Sequence, residues 1–313
     1  MSPAGLPTIS VIIPAYNSAR FICRAVDSVL AQEGVQAEIV VVDDASTDET
    51  PDVMRVYGER VRYLRREVNR GVAVARNHGA VNARGKWLAF LDADDFYYPM
   101  RLLHHAAWIA EDPTLDLLTG DYDYQRADGS PLGTSMAAHP AGVEVLRRAA
   151  GAGRFVMETD LFEAFVAEHF GDTHTLTVPR DRFLAVGGYP EGFKVCEDVH
   201  LLTRLIATSR RIGVICEPLG VYVVHEGSAT RRDPVEAQRE NVRTLNDLAI
   251  LAETFPPQVR AGVQRRRRAA RLNLAYALRR HGHPLAATRA VLPSLFEAPS
   301  LRAARDVLSI LKG

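Results

Sequence analysis

The feature that most constrains this chain is an alternation of short apolar runs with helical patterns over its first 120 residues. TISVIIP (8–14) is a β-branched run closed by proline. ARFICRAVDSVLAQ (19–32) then places Phe21, Ile22, Ala25, Val26, Val29 and Leu30 at helical spacing. AEIVVVDD (37–44) reads as a second strand, and TPDVMRVYG (50–58) as a helix with Thr50 at its N-cap and Pro51 at its first position. The pattern repeats with RVRYLRR (60–66), VAVARNHGAVNARG (72–85, closed by Gly85), KWLAFLD (86–92), PMRLLHHAAWIAED (99–112) and LDLLTGDYDY (115–124). Near-continuous apolar strands separated by helices define an α/β class. They predict a mostly parallel central sheet covered by helices on both faces.

Ligands bind such sheets beyond the carboxyl ends of the strands. Polar residues gather there: Pro14-Ala15-Tyr16-Asn17, Asp43-Asp44, and Asp92 to Asp95. Residues 125–195 are less regular, with an amphipathic helix expected at 158–171 and a strand, short helix and glycine turn over 175–193. A helix at 197–209 carries its carboxylates in the first turn, where the macrodipole favours them, and RIGVI and GVYVVH read as two strands. From Asp233 helices dominate, at 233–254, 258–281, 284–296 and 299–312. The expected organisation is a domain over 1–230 and a helical C-terminal extension over 231–313.

Lys+Arg and Asp+Glu both number 38, so no global attraction to nucleic acid is expected. Three cysteines without a CxxC pair argue against a disulfide framework and a zinc site. No signal-peptide pattern opens the chain, and no run of about 18 apolar residues suits a bilayer. The expectation is a cytoplasmic protein. The run Arg265 to Arg268 reads either as a solvated helix face or as a contact for an acidic partner or for anionic lipid headgroups at the inner face of the membrane.

Four stretches carry chemistry. In VVVDDASTDET (40–50), Asp43 and Asp44 end a strand, where they either accept hydrogen bonds from a base or ribose or cap the following helix. In FLDADD, three like charges follow an apolar run, against both repulsion and desolvation. A divalent cation, Mn2+ or Mg2+, would resolve that conflict, since such ions take carboxylates plus substrate phosphates. In GGYPEGFKVCEDVHL (187–201), Gly187 and Gly188 precede Glu197-Asp198 at a helix start, a suitable place for a general base. In VYVVHEGSATRR (221–232), His225 ends a strand as a candidate metal ligand, and Arg231 or Arg232 is a candidate phosphate clamp.

Taken in order, ISVIIPAYN, VVVDDASTDET, NRGVAVARNHG, FLDADD, VGGY, CED and YVVHEGS resemble the family 2 glycosyltransferases with the Rossmann-like GT-A fold, across residues 8 to 228. The resemblance implies inverting transfer of a sugar from a nucleotide sugar, with UDP the expected nucleotide. It assigns Pro14, Ala15 and Tyr16 to the turn lining the nucleotide. Asp44 is matched to the carboxylate reading the base, with Asp43 beside it, and Arg76 to the nucleotide side. Asp92 falls near the ribose, Asp94 on the metal, and Gly187, Gly188 and Glu197 on the sugar-nucleotide site. Asp198 is matched to the catalytic base and His225 to a histidine that joins the metal. The QxxRW segment and membrane helices of processive relatives do not occur, which favours transfer of a single sugar. The expected acceptor is a glycan or a lipid-linked hydroxyl, and the C-terminal helices are expected to dimerise, cover the sheet or touch a membrane. Competing readings are a non-catalytic nucleotide-sugar-binding protein and a sugar nucleotidyltransferase. The latter would open on a Gly-rich basic phosphate loop, which IIPAYNSAR is not. A dinucleotide-binding dehydrogenase would need a GxGxxG after the first strand.

Overall fold

The computed structural model describes residues 6–225, 233–297 and 301–312. Its strands and helices follow the alternation of the sequence: β1 (Ile9–Ala15), α1 (Ile22–Leu30), β2 (Ala37–Asp43), α2 (Thr50–Arg55), β3 (Arg62–Arg65), α3 (Val72–Asn82), β4 (Trp87–Phe90), β5 (Phe96–Tyr97), α4 (Arg101–Glu111) and β6 (Leu117–Arg126). After these come β7 (Pro131–Thr134), α5 (Ser135–Ala138), α6 (Pro140–Ala149), β8 (Arg154–Met157), α7 (Phe162–Ala167), β9 (Thr177–Pro179), α8 (Arg180–Ala185), α9 (Glu197–Ala207) and β10 (Ile212–Val224). The C-terminal helices are α10 (Pro234–Leu251), α11 (Pro257–Arg280), α12 (Pro284–Val291), α13 (Ser294–Glu297) and α14 (Leu301–Lys312).

The contacts divide the chain into two units. The first comprises Met1–Glu158, His169–Gly192 and Thr208–His225. The second gathers Thr159–Glu168, Phe193–Ala207 and Glu226–Gly313, so it draws on two segments that precede the C-terminal helices.

The first unit is built on one sheet in the order β3-β2-β1-β4-β9-β6-β10-β5, with β7 on β6 and β8 on β10. Strands β3, β2, β1 and β4 are mutually parallel, as are β6 and β10. Every residue of β1 is buried, as a strand covered on both faces requires. The short strand β9 lies antiparallel between β4 and β6, an insertion that sequence order alone does not suggest. RIGVI and GVYVVH form one strand, with register shifts around Pro218 that bend it without breaking its pairing to β6. Helix α3 stops at Asn82, short of the Gly85 expected to close it, because Ala83 is already extended. Gly85 answers a different need: a Cβ there would stand 2.6 Å from the backbone nitrogen of Ser10. The loop can therefore lie directly on β1.

In the second unit α11 packs on α7, α10 and α12. Arg265 pairs with Glu163 at 3.1 Å, Arg267 and Arg271 with Glu297 at 3.3 and 2.8 Å, and Arg268 with Asp306 at 2.5 Å. Arg265, Arg267 and Arg268 of the run are thus engaged by carboxylates of neighbouring helices within their own unit, and Arg266 donates to the Val166 carbonyl at 3.4 Å. The segment expected to be helical over 158–171 shortens to the six residues of α7. Among the described residues, no helix is long and apolar enough to cross a membrane.

Candidate active site

The polar side chains of the first unit collect where β1, β2 and β4 end, as their register dictates. Asp44 follows β2 directly, and its amide donates to the Ala15 carbonyl at 2.8 Å. Its Oδ2 accepts from the amides of Arg70 (2.9 Å) and Gly71 (2.7 Å), just before α3, and Arg66 Nε lies 3.4 Å from Oδ1. Oδ1 is buried and makes no hydrogen bond; the Arg66 charge faces it. Asp43 is fully buried. It accepts from the Ser46 amide at 2.8 Å and from the Tyr63 hydroxyl. Neither aspartate caps α2, whose N-cap is Glu49; Asp43 braces the turn after β2 through the Ser46 amide. Pro14 and Ala15 are buried at the end of β1, and Tyr16 is half exposed after them.

The three aspartates after β4 have three different settings. Asp92 accepts from Arg76 at 2.6 Å. Arg76, on α3, is 3% exposed and lies 4.9 Å over the Tyr189 ring. Asp94 Oδ2 is 2.7 Å from His225 Nε2, and Arg24 donates to the Asp94 carbonyl oxygen at 2.6 Å. His225 also stacks on Phe21. Asp95 points inward at 1% exposure and accepts from the Val223 amide at 2.8 Å. Burial first, then the charges of Asp94 and Asp92, push its carboxyl well above the usual range.

The glycine pair supports this group from beneath. Gly188 has φ +64°, and a Cβ there would lie 2.4 Å from Asn77 Oδ1. That closeness lets Asn77 of α3 hold both the amide and the carbonyl of Tyr189, each at 2.8 Å. Tyr189 in turn carries Arg76, so the VGGY turn acts on Asp92 through one ring and one guanidinium.

Glu197 and Asp198 open α9 in the second unit, as expected of a helix start. The preceding residue, Cys196, has φ +64°, a conformation that costs a non-glycine residue energy and recurs where geometry is enforced for function. Helix α10 enforces it: Asn241 accepts from Cys196 Sγ at 3.1 Å, and Thr244 Oγ1 donates to the Val195 carbonyl at 2.9 Å. Arg231 and Arg232 lie outside the described residues.

Sequence reasoning missed a second polar group in the first unit. Asp172 accepts from the Tyr122 hydroxyl at 2.6 Å and lies 3.0 Å from His169 Nε2. Burial opposes its charge, yet the hydrogen bond and charge of His169, the charge of His174 and the Tyr122 hydroxyl hold its carboxyl well below the usual range. The rings of Tyr122, Tyr124, Tyr222 and His174 pack together beside it. Tyr222 joins this cluster to the aspartate turn: burial, then the charges of Asp95, Asp172, Asp92 and Asp94, raise its phenol pKa. These residues are spread over 122–222 without a local motif; the one signal was the tyrosine density of GDYDY.

A mixed sheet with aspartates at its carboxyl end is a GT-A-type arrangement. The structure of S. aureus TarS 1–349 in complex with UDP-GlcNAc aligns over 97% of this chain and 79% of its own, with TM-score 0.63 and 20% identity. The mannosyltransferase PcManGT from Pyrobaculum calidifontis, solved with GDP-Man and Mn2+, aligns over 98% and 80%, with TM-score 0.63 and 22% identity. At that identity the likeness establishes the fold.

Sequence comparison finds a likeness to one family. Residues 10–148 match the model described as Glycosyl transferase family 2. The succinoglycan biosynthesis protein ExoO of Rhizobium meliloti (strain 1021) is 36% identical over 232 residues, 72% of this chain and 63% of ExoO. The putative teichuronic acid biosynthesis glycosyltransferase TuaG of Bacillus subtilis (strain 168) is 39% identical over 129 residues, 40% of this chain and 51% of TuaG. The sequence likeness to glycosyltransferase family 2 thus covers residues 10–148 by the family model and 232 residues against ExoO. The chain spans less than two thirds of the length of both these relatives.

Proposed function

We propose that this protein transfers a single sugar, with inversion, from a nucleotide sugar to a hydroxyl of a glycan or lipid-linked acceptor. The observation that carries the reading is the convergence of Asp94 and His225 at 2.7 Å in the turn that also holds Asp92. Carboxylate oxygens with one imidazole nitrogen are a donor set suited to Mn2+ or Mg2+. Asp94 and His225 would hold that ion, which when bound offsets the charge of a diphosphate leaving group.

The chain's own residues supply the rest. Asp44, at the end of β2 with Arg66 3.4 Å from its Oδ1, is the carboxylate that reads the base, and the expected nucleotide is UDP. Tyr16, half exposed after Pro14 and Ala15, offers a ring to the nucleotide. Arg76 fixes Asp92, whose remaining acceptor capacity suits a ribose hydroxyl. Gly187 and Gly188 act on the same site through Tyr189. Asp198 accepts the proton of the attacking acceptor hydroxyl, and Glu197 shares the helix start whose amides favour carboxylates. ExoO and TuaG are named for polysaccharide biosynthesis, which supports a glycan or lipid-linked acceptor here.

The test is a panel of UDP-, GDP- and dTDP-sugars assayed for nucleoside diphosphate release, with and without Mn2+. Metal-dependent release with one donor is the expected result. Release of pyrophosphate from nucleoside triphosphate plus sugar phosphate, with none from any nucleotide sugar, would overturn it.

A further inference from the structure

Asp95 is the aspartate of the turn that touches neither Arg76 nor His225, and its setting explains why a third carboxylate stands there. Strand β5 pairs with β10 through only two positions, Phe96 with Val221 and Tyr97 with Gly220. Among the described residues, no strand continues that pairing beyond Val221. Asp95, immediately before β5, extends the edge with its side chain: Oδ1 accepts from the Val223 amide at 2.8 Å. Two residues after Val223 comes His225, and one residue before Asp95 comes Asp94. A single buried hydrogen bond thus ties the two chain segments whose next side chains meet at 2.7 Å. The other end of the turn is closed by the Asp95 amide, which donates to the Asp92 carbonyl at 3.1 Å.

The second carboxylate oxygen is also informative. Asp95 Oδ2 is buried without a hydrogen-bond partner, 4.0 Å from Nδ1 of His174, whose side chain is equally buried. Asp95 therefore faces the protein interior and not the side where Asp94 and His225 meet.

We infer that Asp95 is a positioning residue for the divalent cation: through Val223 it sets the separation of Asp94 and His225 without contacting the ion. The inference rests on the reading of Asp94 and His225 as metal ligands. It requires that an amide at position 95 serve as well as a carboxylate, because an asparagine oxygen can still accept from Val223. Changes to groups that orient metal ligands cost roughly 10–100-fold in metal affinity.

The experiment measures Mn2+ binding to the full chain in the presence of UDP, by the loss of the free-ion paramagnetic resonance signal. The proteins are the wild type, Asp95→Asn, Asp95→Ala, His225→Ala and the Asp95→Ala/His225→Ala double variant. Asp95→Asn should bind Mn2+ within about threefold of wild type, and Asp95→Ala about tenfold or more weakly. The double variant should lose no more than His225→Ala does, since Asp95 acts through the histidine. If Asp95→Asn loses as much as Asp95→Ala, the carboxylate is itself a ligand and the inference falls. Additive losses in the double variant overturn it as well. If Asp95→Ala does not fold, Asp95→Leu, which fills the site but offers the Val223 amide no acceptor, takes its place in the comparison. Absence of Mn2+ binding by the wild type would refute the metal reading, and the inference with it.

Discussion

Asp94 and His225 are 131 positions apart in the chain, yet the carboxylate Oδ2 and the imidazole Nε2 meet at 2.7 Å. The contact is partly exposed, with 39% of the Asp94 side chain and 22% of the His225 side chain open to solvent. It joins the turn after β4 to the end of β10, two strands separated in the sheet by β9 and β6. A partly open carboxylate–imidazole junction at the carboxyl end of a sheet suits a divalent cation and is a weak source of stability.

Asp94→Ala is therefore expected to leave the fold intact and remove the metal dependence of nucleotide binding. Calorimetric titration of UDP with and without Mn2+ measures this. The gain in affinity that Mn2+ gives the wild type should shrink by more than the roughly 10–100-fold typical of changes behind the ligands. An unchanged UDP–Mn2+ affinity would remove Asp94 from the metal site.

Asp198→Asn separates chemistry from binding. The amide keeps the size and the helix-start hydrogen bonding of the carboxylate but cannot take a proton from an acceptor hydroxyl. Loss of a general base costs about 10²–10⁴-fold in rate. Transfer should fall by that order, while donor affinity in the presence of Mn2+ stays within about twofold of wild type. Transfer near the wild-type rate would move the base elsewhere, and Asp172 would be the next carboxylate to replace.

How much of this was legible in the sequence follows from how local each feature is. The elements through β6 were, apart from the two-residue β5, because a covered parallel strand and its helix each write their own period into the chain. The placement of Asp44, Asp92 and Asp94 just after strands was, because an apolar run stops just before them. The antiparallel β9 was not: three residues carry no period, and its place depends on β4 and β6 pairing with it from either side. The role of Asp95 was not, because its partner is a backbone amide 128 residues away. Nor was the His169–Asp172–Tyr122 group, whose members share no spacing. The two-strand reading of β10 failed because Pro218 and Gly220 look like a break, while the neighbouring β6 absorbs the irregularity as shifts in register.

Gly188→Ala tests the support beneath Arg76. The new methyl would combine a left-handed backbone with overlap at Asn77 Oδ1, so Tyr189 and Arg76 must shift. Each contribution is of order 1–3 kcal/mol. Urea denaturation should show a loss of about 2 kcal/mol or more, with UDP affinity reduced as Asp92 loses its partner. An alanine variant equal in stability to wild type would show that the turn can relax without cost.

Acid sensitivity should come in part from His105. Its Nδ1 lies 2.8 Å from Thr177 Oγ1, its Nε2 is buried without a partner, and the ring is fully buried. Burial first, then the charges of Arg101 and His104, hold its pKa well below the 6.5 of a free imidazole. The unfolded chain therefore takes up a proton near pH 6.5 that the folded protein refuses. Stability is full above that value and declines as pH falls below it, by about 1.4 kcal/mol per pH unit for one such group. His174 is shifted the same way, again chiefly by burial, and adds to the slope. Asp95 acts in the opposite sense, since a carboxyl whose folded pKa is raised gains stability as pH falls. Comparing wild type with His105→Gln cancels the other groups and isolates the histidine. Urea midpoints measured from about pH 7.5 to about pH 5.5 should fall less steeply for the glutamine variant, by roughly one proton's worth of slope below the imidazole pKa. Parallel pH profiles would mean that His105 accepts its proton in the folded state.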